Sequence, residues 1–195
     1  MAGEDAAWPD VELTERWLEP AAADTLFEDL RHSLPWRSHR VRMFGRDIDA
    51  PRLSCWIGDP AARYRYSGTT HEPEPWPAAL AAVRERLAHA AGTPFNSVLA
   101  NLYRDGRDCM GWHSDDEPEL GPQPVIASLS LGATRRFVLK HRREPARQAV
   151  FELPHGSLLV MRGDTQRDWR HALPRTARAV GPRINLTFRE IIVRG

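Results

Sequence analysis

Arg183-Ile184-Asn185-Leu186-Thr187-Phe188-Arg189-Glu190 alternates polar and apolar side chains without a break. Successive residues of a strand point to opposite faces. The stretch therefore reads as a strand with Ile184, Leu186 and Phe188 on one face and Arg183, Asn185, Thr187 and Arg189 on the other. The apolar face needs a core. The polar face poses a choice, because two arginines are costly to bury without an anion. Either the strand turns them to solvent, or an anionic ligand sits with them. A dicarboxylate suits the second case, since each guanidinium can grip a carboxylate through two parallel hydrogen bonds.

Short strands precede this one. Residues 97–103, 125–131, 136–140, 151–153 and 157–161 each read as a strand, and the closing strand extends over 183–192. Short strands separated by turn signals predict a sandwich or barrel-like sheet. Helices lie upstream. One covers Asp24–Leu30 behind a cap at Asp24, and a second covers 76–90, with Pro77 near its start and Gly92 past its end. Leu80, Val83 and Leu87 form the buried stripe of that second helix. The expected class is mostly β with flanking helices. Residues 1–20 read as a polar, poorly packed lead-in, and 21–195 as one domain, with 21–94 an extension and 95–195 the β core.

Composition bounds the function. Sixteen prolines and thirteen glycines fit a chain of many turns. No run of about 18 apolar residues exists to span a membrane, and the acidic start lacks a signal-peptide pattern. Cys55 and Cys109 are too few for a disulfide framework, so a reducing, cytoplasmic compartment is expected. The net charge of +1 hides an asymmetry: residues 1–30 hold nine acids and one arginine, and the remainder is basic. A basic body attracts polyanions, nucleic acid above all, although such a charge also simply keeps a domain in solution.

The chemistry centres on His113-Ser114-Asp115. On an extended strand residues i and i+2 share a face, so an imidazole and a carboxylate could grip one ion. A downstream histidine, His171, could complete a set of two histidines and one carboxylate. That is the facial triad of non-haem Fe(II) oxygenases, which leaves half the metal open. Chance supplies His-x-Asp easily in a chain with eight histidines. Cys109 lies four residues before His113 and could be proposed as a ligand, but it reads first as a small packed thiol. His155, in the turn Leu153-Pro154-His155-Gly156, competes with His171. Asn101 and Tyr103 share a strand face and can hydrogen-bond an organic acid, or serve as an edge amide and a core ring.

Together these segments resemble the AlkB family of Fe(II)/2-oxoglutarate dioxygenases, which repair alkylated nucleic acids. The matching text is Asn101-Leu102-Tyr103-Arg104-Asp105-Gly106, His113-Ser114-Asp115-Asp116-Glu117, His171-Ala172-Leu173-Pro174 and Pro182 through Arg189. The likeness runs over roughly residues 40–192. It implies a double-stranded β-helix (jelly-roll) core, Fe(II), 2-oxoglutarate and O2. The implied activity is oxidative demethylation of bases such as 1-methyladenine and 3-methylcytosine in DNA, with release of formaldehyde, succinate and CO2. The implied iron ligands are His113, Asp115 and His171. Arg183 would meet the distal carboxylate of 2-oxoglutarate and Arg189 the chelating end, with Asn101, Tyr103, Asn185 and Thr187 completing the pocket.

The resemblance is greatest to the duplex-acting branch. Arg40-Val41-Arg42-Met43-Phe44-Gly45 is similar to its hairpin, which pushes an apolar wedge into the base stack. Tyr64, Tyr66 and Ser67 resemble the lid over the flipped base. Arg52 and Glu117 would also meet substrate, and Arg135 through Arg147, Lys140 included, would track the backbone. A monomer acting on DNA, single-stranded or duplex, without a membrane is expected. The alternatives are the same chemistry on RNA or another substrate, or a non-catalytic nucleic-acid-binding homologue. A structural zinc protein fits poorly, since there is no cysteine cluster. The charged run between Arg162 and Arg170 matches no signature and is expected to form a loop near the metal mouth.

Overall fold

The alternating stretch at 183–189 lies inside a seven-stranded antiparallel sheet, buried along its whole length. The computed structural model describes residues 8–43, 46–62, 64–66 and 69–192. In chain order the elements are β1 (Val11–Thr14), α1 (Pro20–Ser33), β2 (Arg37–Met43), β3 (Arg46–Gly58), β4 (Tyr64–Tyr66), β5 (Thr69–His71), α2 (Ala78–Ala91), β6 (Ser97–Tyr103) and β7 (Met110–His113). Then come β8 (Ile126–Gly132), β9 (Arg135–His141), β10 (Gln148–Leu153), β11 (Leu158–Met161), α3 (Thr165–Asp168), β12 (Trp169–Leu173) and β13 (Arg183–Arg189).

The large sheet runs β1-β11-β8-β13-β6-β3-β2, and a four-stranded sheet runs β10-β9-β12-β7. Each face of β13 has its own partner. Ile184, Leu186 and Phe188 join one core with Leu26 and Leu30 of α1 and Leu80, Val83 and Leu87 of α2. On the opposite side a second core joins Ile126, Leu159 and Met161 of the large sheet to Phe137, Leu139, Leu153 and Trp169 of the small one. The result is the jelly-roll sandwich, with helices outside and a cavity between the sheets. Packing is close where α1 meets β8. A Cβ on Gly132, at φ +84, would lie 2.4 Å from the Pro182 carbonyl oxygen, so only glycine fits.

Several expectations change. The stretch 1–20 is not loose where it is described: β1 pairs with β11, Val11 opposite Met161, and Leu18 is buried. Strand β3 of the expected 21–94 extension pairs with β6 of the expected core, in the same sheet. Helix α1 begins at Pro20 rather than at Asp24, since proline is pre-set for the first helical turn and the alanines behind it propagate the helix. The closing strand stops at Arg189, whose carbonyl accepts the Asn96 N–H and the Ser97 hydroxyl. The hairpin strands pair as expected, Met43 opposite Arg46, while Phe44 itself lies outside the described residues.

Candidate metal and co-substrate site

Strand register builds the site. On β13, Asn185 sits between Asn101 of β6 and Ser130 of β8, and Arg183 sits opposite Tyr103. Cross-strand partners share a face, so the polar row of β13 gathers a polar patch on the large sheet. Across the cavity, β12 and β7 place His171 directly opposite His113. His113, Asp115, His171, Asn101, Tyr103, Arg183, Asn185, Thr187 and Arg189 all line one cavity. His155 lies elsewhere, its Nδ1 accepting the Gly132 N–H. Cys109 is a free thiol and does not join the ligand cluster.

Candidate ligand atoms of His113, Asp115 and His171 lie within 4.8 Å of one another. The His113 Nδ1–H donates to the Gly111 carbonyl at 2.8 Å, leaving Nε2 as the lone-pair nitrogen. That nitrogen is 3.1 Å from His171 Nε2. Asp115 Oδ1 accepts from Arg189 at 2.7 Å, while Oδ2 is buried with no hydrogen-bond partner among the described residues. A buried carboxylate oxygen without a donor, beside two imidazole nitrogens, is the donor set a divalent cation satisfies.

The electrostatics agree. Burial, then His113, pushes His171 down to about 3, so the ring is neutral and ready to ligate at neutral pH. Burial pushes Asp115 up, but Arg189, His171 and His113 outweigh it and hold the carboxyl at about 2. Asp115 is reached differently from the i, i+2 expectation. Strand β7 stops at His113, and Asp115 lies in the following loop, its N–H bonded to Gln166 Oε1 at 3.0 Å.

Arg183 marks the other end of the cavity. It is 1% exposed and donates to Ser130 Oγ at 2.8 Å and to Asn185 Oδ1 at 2.7 Å. Among the described residues it has no carboxylate partner. Burial pushes it down to about 10, so it keeps its charge at neutral pH. An uncompensated buried ion costs several kcal/mol, against a typical total stability of ~5–15 kcal/mol. The solvated-strand alternative is thus excluded, and Arg183 has the surroundings of an anion receptor. Beside it, burial raises the Tyr103 hydroxyl, which stays a donor.

The expected substrate residues are placed unevenly. Phe44 and Ser67 lie outside the described residues, and for Tyr64 and Tyr66 only the backbone, as β4, is described. Glu117 caps the 3-10 turn Pro118–Leu120 and is not among the residues that line the cavity. Arg52 is buried, and its Nε donates to Asn101 Oδ1 at 2.9 Å, which ties it to the co-substrate end. Arg135 does not track a backbone of nucleic acid: it is buried and donates to the carbonyls of Asp105, Asp108 and Pro174. Gln166 and Ser130 were missed. Neither residue type carries a signal of burial, and both become visible only through register and contacts.

The sequence matches the 2OG-Fe(II) oxygenase superfamily over residues 10–189. The DNA oxidative demethylase ALKBH2 of Homo sapiens is 41% identical over 183 residues, covering 89% of this chain and 70% of that protein. The alpha-ketoglutarate-dependent dioxygenase alkB homolog 3 of Bos taurus is 41% identical over 178 residues, covering 87% of this chain. The chain spans 62% of that relative's length. A solved structure of OsALKBH1 shares the fold at a TM-score of 0.65 and 17% identity, over 95% of this chain and 100% of that one. The chain belongs to the 2OG-Fe(II) oxygenase superfamily, among its AlkB homologues.

Proposed function

We propose that this protein oxidatively removes N-linked methyl groups from bases in DNA, such as 1-methyladenine and 3-methylcytosine, and so repairs alkylation damage. The products are the restored base, formaldehyde, succinate and CO2. One observation carries the reading: a buried cation with no acid partner among the described residues, Arg183, shares a cavity with three converging metal-ligand atoms. A metal alone would not call for Arg183. A five-carbon dicarboxylate does, with one end on the ion and the other on the guanidinium. The name of the human relative, DNA oxidative demethylase, supports DNA as the substrate.

His113, Asp115 and His171 would hold Fe(II). When bound with 2-oxoglutarate and dioxygen, the iron supplies oxidation of the methyl carbon. The chain's part is to bind and orient. Arg183, with Ser130 and Tyr103 beside it, grips the distal carboxylate. Asn185 Oδ1 accepts from both Arg183 and Ser128, which fixes the guanidinium in place. Arg52 takes the oxygen of Asn101, which leaves the amide N–H groups of Asn101 as donors toward the co-substrate. Arg189 neutralises Asp115 and occupies one of its oxygens.

The methylated base has to leave the stack to reach the iron. Methylation of the pairing edge weakens the pair, so extrusion costs less for these lesions. Phe44 would fill the gap, with Tyr64, Tyr66, Ser67 and Glu117 around the flipped base. All the ligand atoms come from one chain, which supports a monomer as the working unit. Two free thiols support a reducing, cytoplasmic setting. No helix among the described residues is long and apolar enough to cross a membrane.

The test is formaldehyde release from 3-methylcytosine oligonucleotides with iron and 2-oxoglutarate, offered as single-stranded DNA, duplex DNA and RNA. DNA is expected to turn over, and His113→Ala to abolish turnover. Turnover of RNA alone would move the substrate, and activity surviving in His113→Ala would remove the metal assignment.

A further inference from the structure

The charged run 162–170, expected as a loop, folds into a helical turn instead, and Gln166 within it is only 1% exposed. Residues Thr165–Asp168 form α3, a single turn that leads directly into β12 and His171. From there the Gln166 side chain reaches the loop that carries Asp115, and its Oε1 accepts the Asp115 N–H at 3.0 Å. Its Nε2 faces Met161 Sδ at 3.4 Å. The reverse amide orientation would set a donor against a donor, so this assignment is fixed by its partner.

Neighbouring bonds clip the same two segments together. Ser114 Oγ donates to the Trp169 carbonyl at 2.8 Å. Arg142 Nη2 donates to Ser114 Oγ at 2.8 Å, to Asp116 Oδ2, and to the Gln166 carbonyl at 3.5 Å. The Arg142 backbone N–H reaches the Asp168 carbonyl at 2.8 Å. Residues 114–116 are therefore joined to 165–169 at several points. One segment carries Asp115, and the other delivers His171.

Asp115 is thus held at both ends, its peptide by Gln166 and its Oδ1 by Arg189. We propose that Gln166 is a positioning residue of the metal centre: its side-chain carbonyl fixes the Asp115 peptide so that one carboxylate oxygen, Oδ2, is aimed at the ion before it arrives. Groups behind metal ligands commonly change affinity about 10–100-fold when removed, because they set the ligand's direction. A carboxylate free to turn would also bind through both oxygens and take up room that co-substrate and oxygen need. The inference rests on the metal reading above.

The test titrates Mn(II), followed by electron paramagnetic resonance, into the metal-free protein of residues 1–195. Gln166→Met keeps length and bulk but has no acceptor for the Asp115 N–H. It is expected to raise the Mn(II) dissociation constant about tenfold or more, with its circular dichroism unchanged. Gln166→Glu keeps an acceptor oxygen and is expected to bind at least as tightly as the unaltered protein. Equal affinity in Gln166→Met, or loss in Gln166→Glu as large as in Gln166→Met, overturns the inference. Should Gln166→Met not fold, Gln166→Leu, which also lacks an acceptor for the Asp115 N–H, carries the same expectation, and unchanged affinity there overturns the inference. If the unaltered protein binds no Mn(II), the metal site itself falls. If it binds and Gln166→Met binds equally, only the role of Gln166 falls.

Discussion

Arg183 is the residue on which the co-substrate reading turns, and its burial makes a paired expectation. Replacing a buried, unpaired charge by an apolar side chain of similar bulk is often neutral or stabilising. Arg183→Met should therefore keep or raise the melting temperature while raising the KM for 2-oxoglutarate by about two orders of magnitude, the scale of a lost charge-assisted bidentate contact. Steady-state succinate formation and calorimetry check the two halves separately. Lower stability with unchanged KM would make Arg183 a structural residue. At this scale the sequence was legible wherever alternation applied: Arg183, Asn185, Thr187 and Arg189 do share a face, and that face is the cavity wall. It was not legible for Arg135, which reads as one more arginine in a basic run. Only the fold shows it bonded to three carbonyls and shut away from any phosphate.

Among the elements, the long periodic ones could be read and the short ligand-bearing ones could not. Helix α2 buries Leu80, Val83 and Leu87 as their spacing requires. Strands β7 and β12 are only four and five residues long. They carry glycine, tryptophan, arginine and histidine where a regular strand would alternate. Their pairing across the small sheet, which brings His113 against His171, is a long-range contact that no local pattern encodes. The N-terminal stretch misled for a related reason. Its four-residue strand β1 is half exposed, and what anchors it is β11, about 150 residues away. Leu18, 4% exposed with its N–H on the Gly156 carbonyl, is the pin. Leu18→Ala should cost about 2–5 kcal/mol, and at about 2–4 °C per kcal/mol for a chain this size the melting temperature falls by several degrees or more. An unchanged melting temperature would show the segment to be the loose lead-in that its composition suggests.

For the whole molecule, the site's titration shapes stability. His171 has an ordinary value of 6.5 and lies at about 3 in the fold. Between those values the unfolded chain binds a proton that the folded chain does not. Unfolding then takes up a proton, so stability rises with pH across this window and falls as pH drops from about 6.5 toward 3. Asp115, at about 2 against an ordinary 3.8, adds loss in the same direction below 3.8. The metal-free protein, kept in chelator, should melt progressively lower over that range, and His171→Gln should show a flatter profile. A profile in the unaltered protein as flat as in His171→Gln would contradict the buried, neutral histidine. The architecture explains why the charge sits there: two sheets enclose one polar wall, and the triad and Arg183 face each other inside it.

On the proposed function, oxidation of 2-oxoglutarate is spent on a methyl group of a nucleic-acid base. A mass balance on one reaction mixture holding iron, 2-oxoglutarate, oxygen and a 3-methylcytosine oligonucleotide decides it. Succinate, formaldehyde and unmodified cytosine should appear in equal amounts, and none should form when the oligonucleotide carries no methyl group or when Arg183→Met replaces the protein at low 2-oxoglutarate. Succinate forming at the same rate with methylated and unmethylated DNA, while the lesion stays intact, would contradict the account.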